Sequence, residues 1–182
     1  LESLLDEGGF GAIFMEVERG RPADVAFLRE VRRLADKHDA VLIFDESTSG
    51  FRRTVGGSHL LLGVTPDMCV LGKALGNGYA IAAVLGTDAV MSAIDRTFIW
   101  STQWTERLGP VAALATLRAM KVDQAPQRAN ELGEYWQGLL QRCIDDSGIT
   151  ARVGGIPAIS RLDVPDANPV ALRHTISARL LE

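Results

Sequence analysis

Two charged side chains stand where apolar runs end. "LIFDESTSGFR", residues 42–52, carries Leu42, Ile43 and Phe44 into Asp45 and Glu46 and then into a Ser-Thr-Ser-Gly turn. "LGKALGNGYA", residues 71–80, sets Lys73 directly after another apolar run, among Gly72, Gly76 and Gly78. A carboxylate carried to the end of a buried strand is costly unless something positive meets it. A lysine in a partly desolvated site has a lowered pKa and suits attack on a carbonyl carbon to form a Schiff base, and glycines let backbone approach a ligand closely. A nucleotide P-loop is excluded, because that motif needs Gly at position 67 and Ser or Thr at 74, where Asp67 and Ala74 stand. Two plainer readings stay open: Asp45 capping its own turn through Ser47 or Thr48, and Lys73 as a surface lysine in a Gly-rich loop.

Ligands of open α/β sheets sit beyond the carboxyl ends of the strands, so both residues can address one ligand. An amine paired with a carboxylate in that way suits pyridoxal 5'-phosphate, which needs a lysine on its aldehyde and an acid on its pyridinium nitrogen. At about 4 Å and an effective dielectric near 20, the carboxylate and the ring cation attract by roughly 4 kcal/mol before desolvation is subtracted. That is enough to hold the ring protonated.

The elements that must position the pair follow from periodicity. "GAIFMEV", residues 11–17, reads as a buried strand, and from Asp24 the apolar residues Phe27, Leu28, Val31, Leu34 and Ala35 recur at helical spacing. "AVLIFDE", residues 40–46, is a second buried strand, so the three pieces make a βαβ unit with a parallel pair. Residues 68–72, 80–86 and 97–102 read as further strands of a wide α/β sheet, and Arg107 to Asp145 as helix with Pro126 at a kink or an N-terminal turn. From "VGGIPAISRLDVPDANP" the pattern changes to strand-like pieces punctuated by Gly and Pro. The expected division is a ligand-binding domain over 1–148 and the start of a smaller α+β domain over 149–182.

The chain has 182 residues, 47% hydrophobic, and a formal net charge of -4 without a basic stripe, which argues against nucleic acid and a membrane surface as partners. Cys69 and Cys143 are too few for a disulfide framework and read as inert thiols of a reducing compartment. With no export signal or membrane-length apolar run, a cytoplasmic protein is expected. His38, His59 and His174 are scattered, and neither HExxH nor GxSxG occurs, so metallohydrolase and serine-hydrolase chemistry lack support. The sequence opens on what reads as a helix tail and stops inside a rising helical pattern, so it is expected to be a fragment.

The run "FDESTSGFR…GGSHLLLGVTPDMCVLGKALGNGYAIAAVLG…STQWTERLGPVAALATL" resembles class III, fold type I aminotransferases, most of all their glutamate-1-semialdehyde aminomutase-like branch, over roughly residues 10–165. The resemblance implies part of the three-layer α/β/α large domain, and Lys73 as the residue that binds the cofactor covalently and then shuttles a proton. It implies Asp45 on the pyridine nitrogen, Ser47 and Thr48 beside the ring, and Thr102 reaching the cofactor phosphate of a partner in a homodimer. Ser47 departs from the family, which has a β-branched apolar residue there, and Glu16-Val17 stands where a Glu-Pro pair is common, with Glu16 expected to be structural. Trp100, Gln103 and Trp104 could line the pocket or the dimer interface. The family's phosphate loop and the aromatic ring that stacks on the cofactor precede this stretch. Transfer between an amine and a carbonyl compound, intramolecular aminomutase chemistry, and a non-catalytic chain keeping only fold and interface all stay open.

Overall fold

Strand β1 (Ala12–Glu16) lies parallel to β2 (Val41–Asp45), and between them runs the crossover helix α2 (Val25–Lys37), which follows a short helix α1 (Glu2–Asp6). The computed structural model describes residues 1–99, 105–165 and 169–179. Helix α2 starts where Asp24 accepts hydrogen bonds from the amides of Ala26 and Phe27, at 2.9 and 3.2 Å. It buries Leu28, Val31, Leu34 and Ala35. Phe27, expected on that stripe, is 55% exposed, a quarter-turn off the line set by Leu28, Val31 and Ala35.

A short helix α3 (His59–Leu62) leads to β3 (Met68–Leu71), parallel to β2, and β4 (Ala83–Gly86) closes the order β1-β2-β3-β4 antiparallel to β3. The sheet is therefore narrower than the sequence suggests. Within 80–86 only Ala83–Gly86 pair, since α5 (Leu108–Val122) lays Gly109 against Ala80 and Ile81. Helix α4 (Asp88–Met91) and a 3-10 segment (Ser92–Arg96) follow β4. Thr97 to Ile99 form no strand, because the Thr97 amide and hydroxyl bond back to the carbonyls of Ala93 and Ile94. The remainder of that expected strand, 100–102, lies outside the described residues.

Helix α6 (Ala125–Ser147) carries Pro126 in its first turn, as expected, after Gln124 in a left-handed conformation. The hairpin β5 (Arg152–Ile156) and β6 (Ile159–Asp163) forms a separate two-stranded sheet and leads to helix α7 (Pro169–Arg179). Gln137 of α6 donates to the Gly154 carbonyl, and the Val153 amide donates to Gln141. Both bonds hold the hairpin to α6.

Parallel pairing puts register partners on one face, so Met15, Phe44 and Cys69 point the same way, as do Leu42 and Ile13. On this face Val17, Leu28, Val31, Ala35, Leu42, Phe44 and Val64 form one core, and Phe51, Cys69, Leu71, Leu75 and Ala113 a second. The opposite face carries Phe14 at 61% and Val84 at 47% exposure, with Asp45 half-buried among them. Of the three layers expected, the described residues build the sheet and one helical layer. Asp67, the residue that spoiled the P-loop pattern, pins the first core by accepting from the Leu42 amide at 2.7 Å and from Arg32 at 2.8 Å.

One residue beyond Asp45, Glu46 turns inward and its side chain is fully buried. Its carboxylate accepts from the Ser49 hydroxyl (2.9 Å), the amides of Ser58 (2.5 Å) and His59 (3.0 Å), and stands 2.6 Å from His59 Nδ1. The turn can close this tightly because position 57 is glycine: a Cβ there would sit 2.4 Å from His59 Nδ1 and 2.6 Å from the carboxylate. Burial pushes the Glu46 carboxyl up, but the His59, Ser58 and Ser49 donors outweigh it and leave the group below its usual value.

Two predictions follow from this packing. Phe44→Ala, at a fully buried site, will lower unfolding free energy by about 3–5 kcal/mol in a urea titration. Because folded Glu46 ionises more readily than unfolded Glu46, its contribution is complete above the unfolded value of 4.5 and is lost as pH falls through the lower folded value. Glu46→Gln will therefore destabilise the protein at neutral pH by about 2–4 kcal/mol and flatten the fall in stability below that pH, measured by the same titration across it.

Candidate active site

The site begins where two parallel strands leave the sheet side by side. Asp45 is in register with Val70, and the Glu46 amide still donates to the Val70 carbonyl at 2.9 Å. The chain after β3 therefore emerges next to the turn after β2, close enough that a Cβ on Gly72 would lie 3.9 Å from the Cβ and Oγ of Ser47.

Lys73 opens a single 3-10 turn (Lys73–Leu75), whose Leu75 is buried in the second core. Its φ is +46°, a left-handed conformation that costs a non-glycine residue about 1–2 kcal/mol. The segment then folds back so tightly that a Cβ on Gly76 would meet the Tyr79 carbonyl oxygen at 2.1 Å. Held in this way, Lys73 sends Nζ back over the β2 turn to donate to Thr48 Oγ1 at 2.5 Å.

Asp45 Oδ1 accepts from the Ser47 amide at 2.9 Å. The Ser47 hydroxyl and amide together hold the Asp45 carboxyl below its usual range, burial opposes them, and the positive charges of Lys73 and Arg19 add to the lowering. The turn-capping reading is realised: the Ser47 amide donates to the Asp45 carboxylate at the strand end, and the group is held anionic. Ser47 serves Asp45 through its backbone amide, and its hydroxyl adds to the lowering of that carboxyl, which a β-branched apolar residue would not. Glu16, in register with Asp45, pairs with Arg19 at 3.0 Å on the surface.

The structure brings Asp45, Ser47, Thr48 and Lys73 together at adjacent strand exits. Thr102 lies outside the described residues, as do Trp100, Gln103 and Trp104. Sequence reasoning did not find the Glu46–His59 pair; its only signal was the glycine pair 56–57 ahead of Ser58-His59, which allows a turn to close on a buried acid. It also did not foresee Glu106, whose carboxylate accepts from the Leu108 amide and, at 3.1 Å, from the Gly109 amide at the start of α5. Cys69 is buried and its thiol is pushed up to about 12 by burial and by the nearby carboxylates of Glu46 and Asp45, so the side chain stays protonated on its own.

An amine with a hydroxyl acceptor, next to a carboxylate kept ionised by two donors and a cation, is the donor set that pyridoxal phosphate requires at its aldehyde and its ring nitrogen. These residues fit the group.

Residues 17–181 match the family model described as aminotransferase class-III. A 3-aminobutyryl-CoA aminotransferase of Cloacimonas acidaminovorans is 36% identical over 143 residues, which is 78% of this chain and 34% of that protein. A glutamate-1-semialdehyde 2,1-aminomutase of Methanosarcina acetivorans is 31% identical over 139 residues, 75% of this chain and 33% of that protein. Among solved structures, a transaminase with PLP bound superposes with a TM-score of 0.81 at 26% identity, covering 88% of this chain and 40% of its own. The chain thus spans well under half the length of the proteins it matches. With a βαβ unit that delivers a lysine and a carboxylate to neighbouring strand exits and a family match across nearly its whole length, this chain belongs to the class-III aminotransferases.

Proposed function

We propose that the protein containing this chain transfers an amino group between an amine-bearing substrate and a carbonyl compound, using pyridoxal phosphate held by Lys73 and Asp45. The observation that carries the reading is the convergence of these two side chains from adjacent parallel strands. When bound, the cofactor supplies an electron sink for the carbon that loses its proton.

The chain's own residues then have separate tasks. Asp45 stays anionic and holds the proton on the ring nitrogen, since Ser47 donates to its carboxylate. Lys73 Nζ would hold the cofactor at its aldehyde and, when free, would carry the proton that leaves the substrate carbon. Thr48 Oγ1 accepts from Nζ and keeps the amine over the Asp45 side of the site. The left-handed backbone at Lys73 fixes the approach of the side chain.

Intramolecular transfer is the second reading, favoured by the match to an aminomutase. The proposed division keeps 1–148 in the cofactor domain and starts the smaller domain at 149, after the left-handed Gly148 that ends α6. A homodimer is supported by α5, which buries Gly109 and Ala113 on one side and leaves Leu108, Val111 and Leu114 68%, 63% and 54% exposed on the other. Thr102 is proposed to meet the partner's cofactor phosphate. No helix among the described residues is long and apolar enough to cross a membrane, and we place the protein in the cytoplasm.

Borohydride reduction of the intact protein with pyridoxal phosphate, followed by peptide mass spectrometry, will find the adduct on Lys73 and none in Lys73→Ala; an adduct at another lysine would refute the assignment. Asp45→Asn will keep that adduct but lower kcat by about 100- to 1000-fold, read from steady-state transfer between an amine donor and a keto acceptor.

A further inference from the structure

We propose that Glu46, His59 and Cys69 form a binding site for a divalent cation of the zinc type, on the sheet face opposite Asp45. One ligand atom from each of the three lies within 4.8 Å of the others. Carboxylate oxygen, imidazole nitrogen and thiolate sulfur form a donor set that zinc takes, with bonds of about 2.0–2.3 Å, so ligand atoms of a tetrahedral centre stand roughly 3.3–3.8 Å apart. The cluster is already near that spacing.

The three ligands come from separate parts of the fold: the exit of β2, the first residue of α3 and the middle of β3. Cys69 is 5% exposed and its thiol makes no hydrogen bond among the described residues. Beside it opens a cavity of about 360 Å³, lined by His59, Cys69, Thr65 and Thr87 among others, which gives a cation an entry path and leaves a fourth position to water.

Binding requires small, countable changes. The cation replaces the proton shared between Glu46 Oε1 and His59 Nδ1, which now stand 2.6 Å apart and must separate by under about 1 Å. That same proton moves to Nε2, so the neutral imidazole keeps its single N–H. Cys69 Sγ loses its proton to solvent as the metal–sulfur bond forms, so one carboxylate and one thiolate balance the double charge. Glu46 keeps the bonds from Ser49 Oγ and the amides of Ser58 and His59, which then orient a metal ligand from behind. Neither Asp45 nor Lys73 takes part, so the site is separate from the proposed cofactor site although it lies one peptide unit away.

The test is a titration of the chelator-treated intact protein with Co²⁺, followed by displacement with Zn²⁺. One equivalent per chain will produce tetrahedral cobalt absorption with a sulfur-to-metal charge-transfer band, and zinc will abolish it. Cys69→Ser will remove the charge-transfer band, and His59→Gln will weaken cobalt binding by about 10- to 100-fold. Cys143→Ser, at the other thiol, will leave the spectrum unchanged. A wild-type protein without the band, or a band that survives Cys69→Ser or disappears with Cys143→Ser, would overturn the proposal.

Discussion

Everything at the proposed cofactor site depends on the alternation of side chains where β2 leaves the sheet. Successive residues of an extended chain point to opposite faces, so the adjacent carboxylates Asp45 and Glu46 part company. Glu46 goes to the covered face, where burial forces it to collect donors, and it collects them from the Ser49 hydroxyl and the 58–59 turn. Asp45 goes to the other side, where Ser47 holds it ionised. A single residue shifted in register would put the structural acid in the site and the site acid in the core.

The two cores make that exit rigid. On the covered face α2 and Asp67 clamp β2, while Phe51, Leu71, Leu75 and Ala113 fix β3 and the turn after it. Lys73 can therefore be held in a left-handed conformation that an isolated loop would relax, because buried Leu75 follows two residues later and Gly76 folds the chain back. The cost is local, and packing of the neighbouring residues offsets it.

The βαβ unit, the helix start at Asp24 and the placement of Asp45 and Lys73 at neighbouring strand exits were legible because each rests on local signals: period, cap and strand-end charge. The partners that lie far along the chain were not. His59 reaches Glu46 across thirteen positions and Asp67 reaches Arg32 across thirty-five, and neither spacing carries a periodic signal. The described part of the strand expected at 97–102, residues 97–99, is not a strand for a different reason: Thr97 has the side chain of a strand residue, yet its hydroxyl found the carbonyls of the preceding turn. Ser47 was legible as a departure from the family but not in its consequence, which is a hydroxyl that helps lower the Asp45 carboxyl.

The segment concentrates the chemistry that class-III relatives share. Proteins named as an aminotransferase and as an aminomutase match nearly the same share of this chain, 78% and 75%, at 36% and 31% identity. Moving an amino group between two molecules and moving it within one both need an amine that can leave and return, and a ring nitrogen kept protonated. In the proposed reading Lys73 and Asp45 meet those needs whatever carbon is attacked. Differences between the two reactions concern which molecule is retained after the first transfer, a matter of pocket shape and closure rather than of the proton carrier. On the proposed function, reaction class is thus set at the exits of β2 and β3, and selection of the substrate acts on a site whose electrostatics are already fixed there.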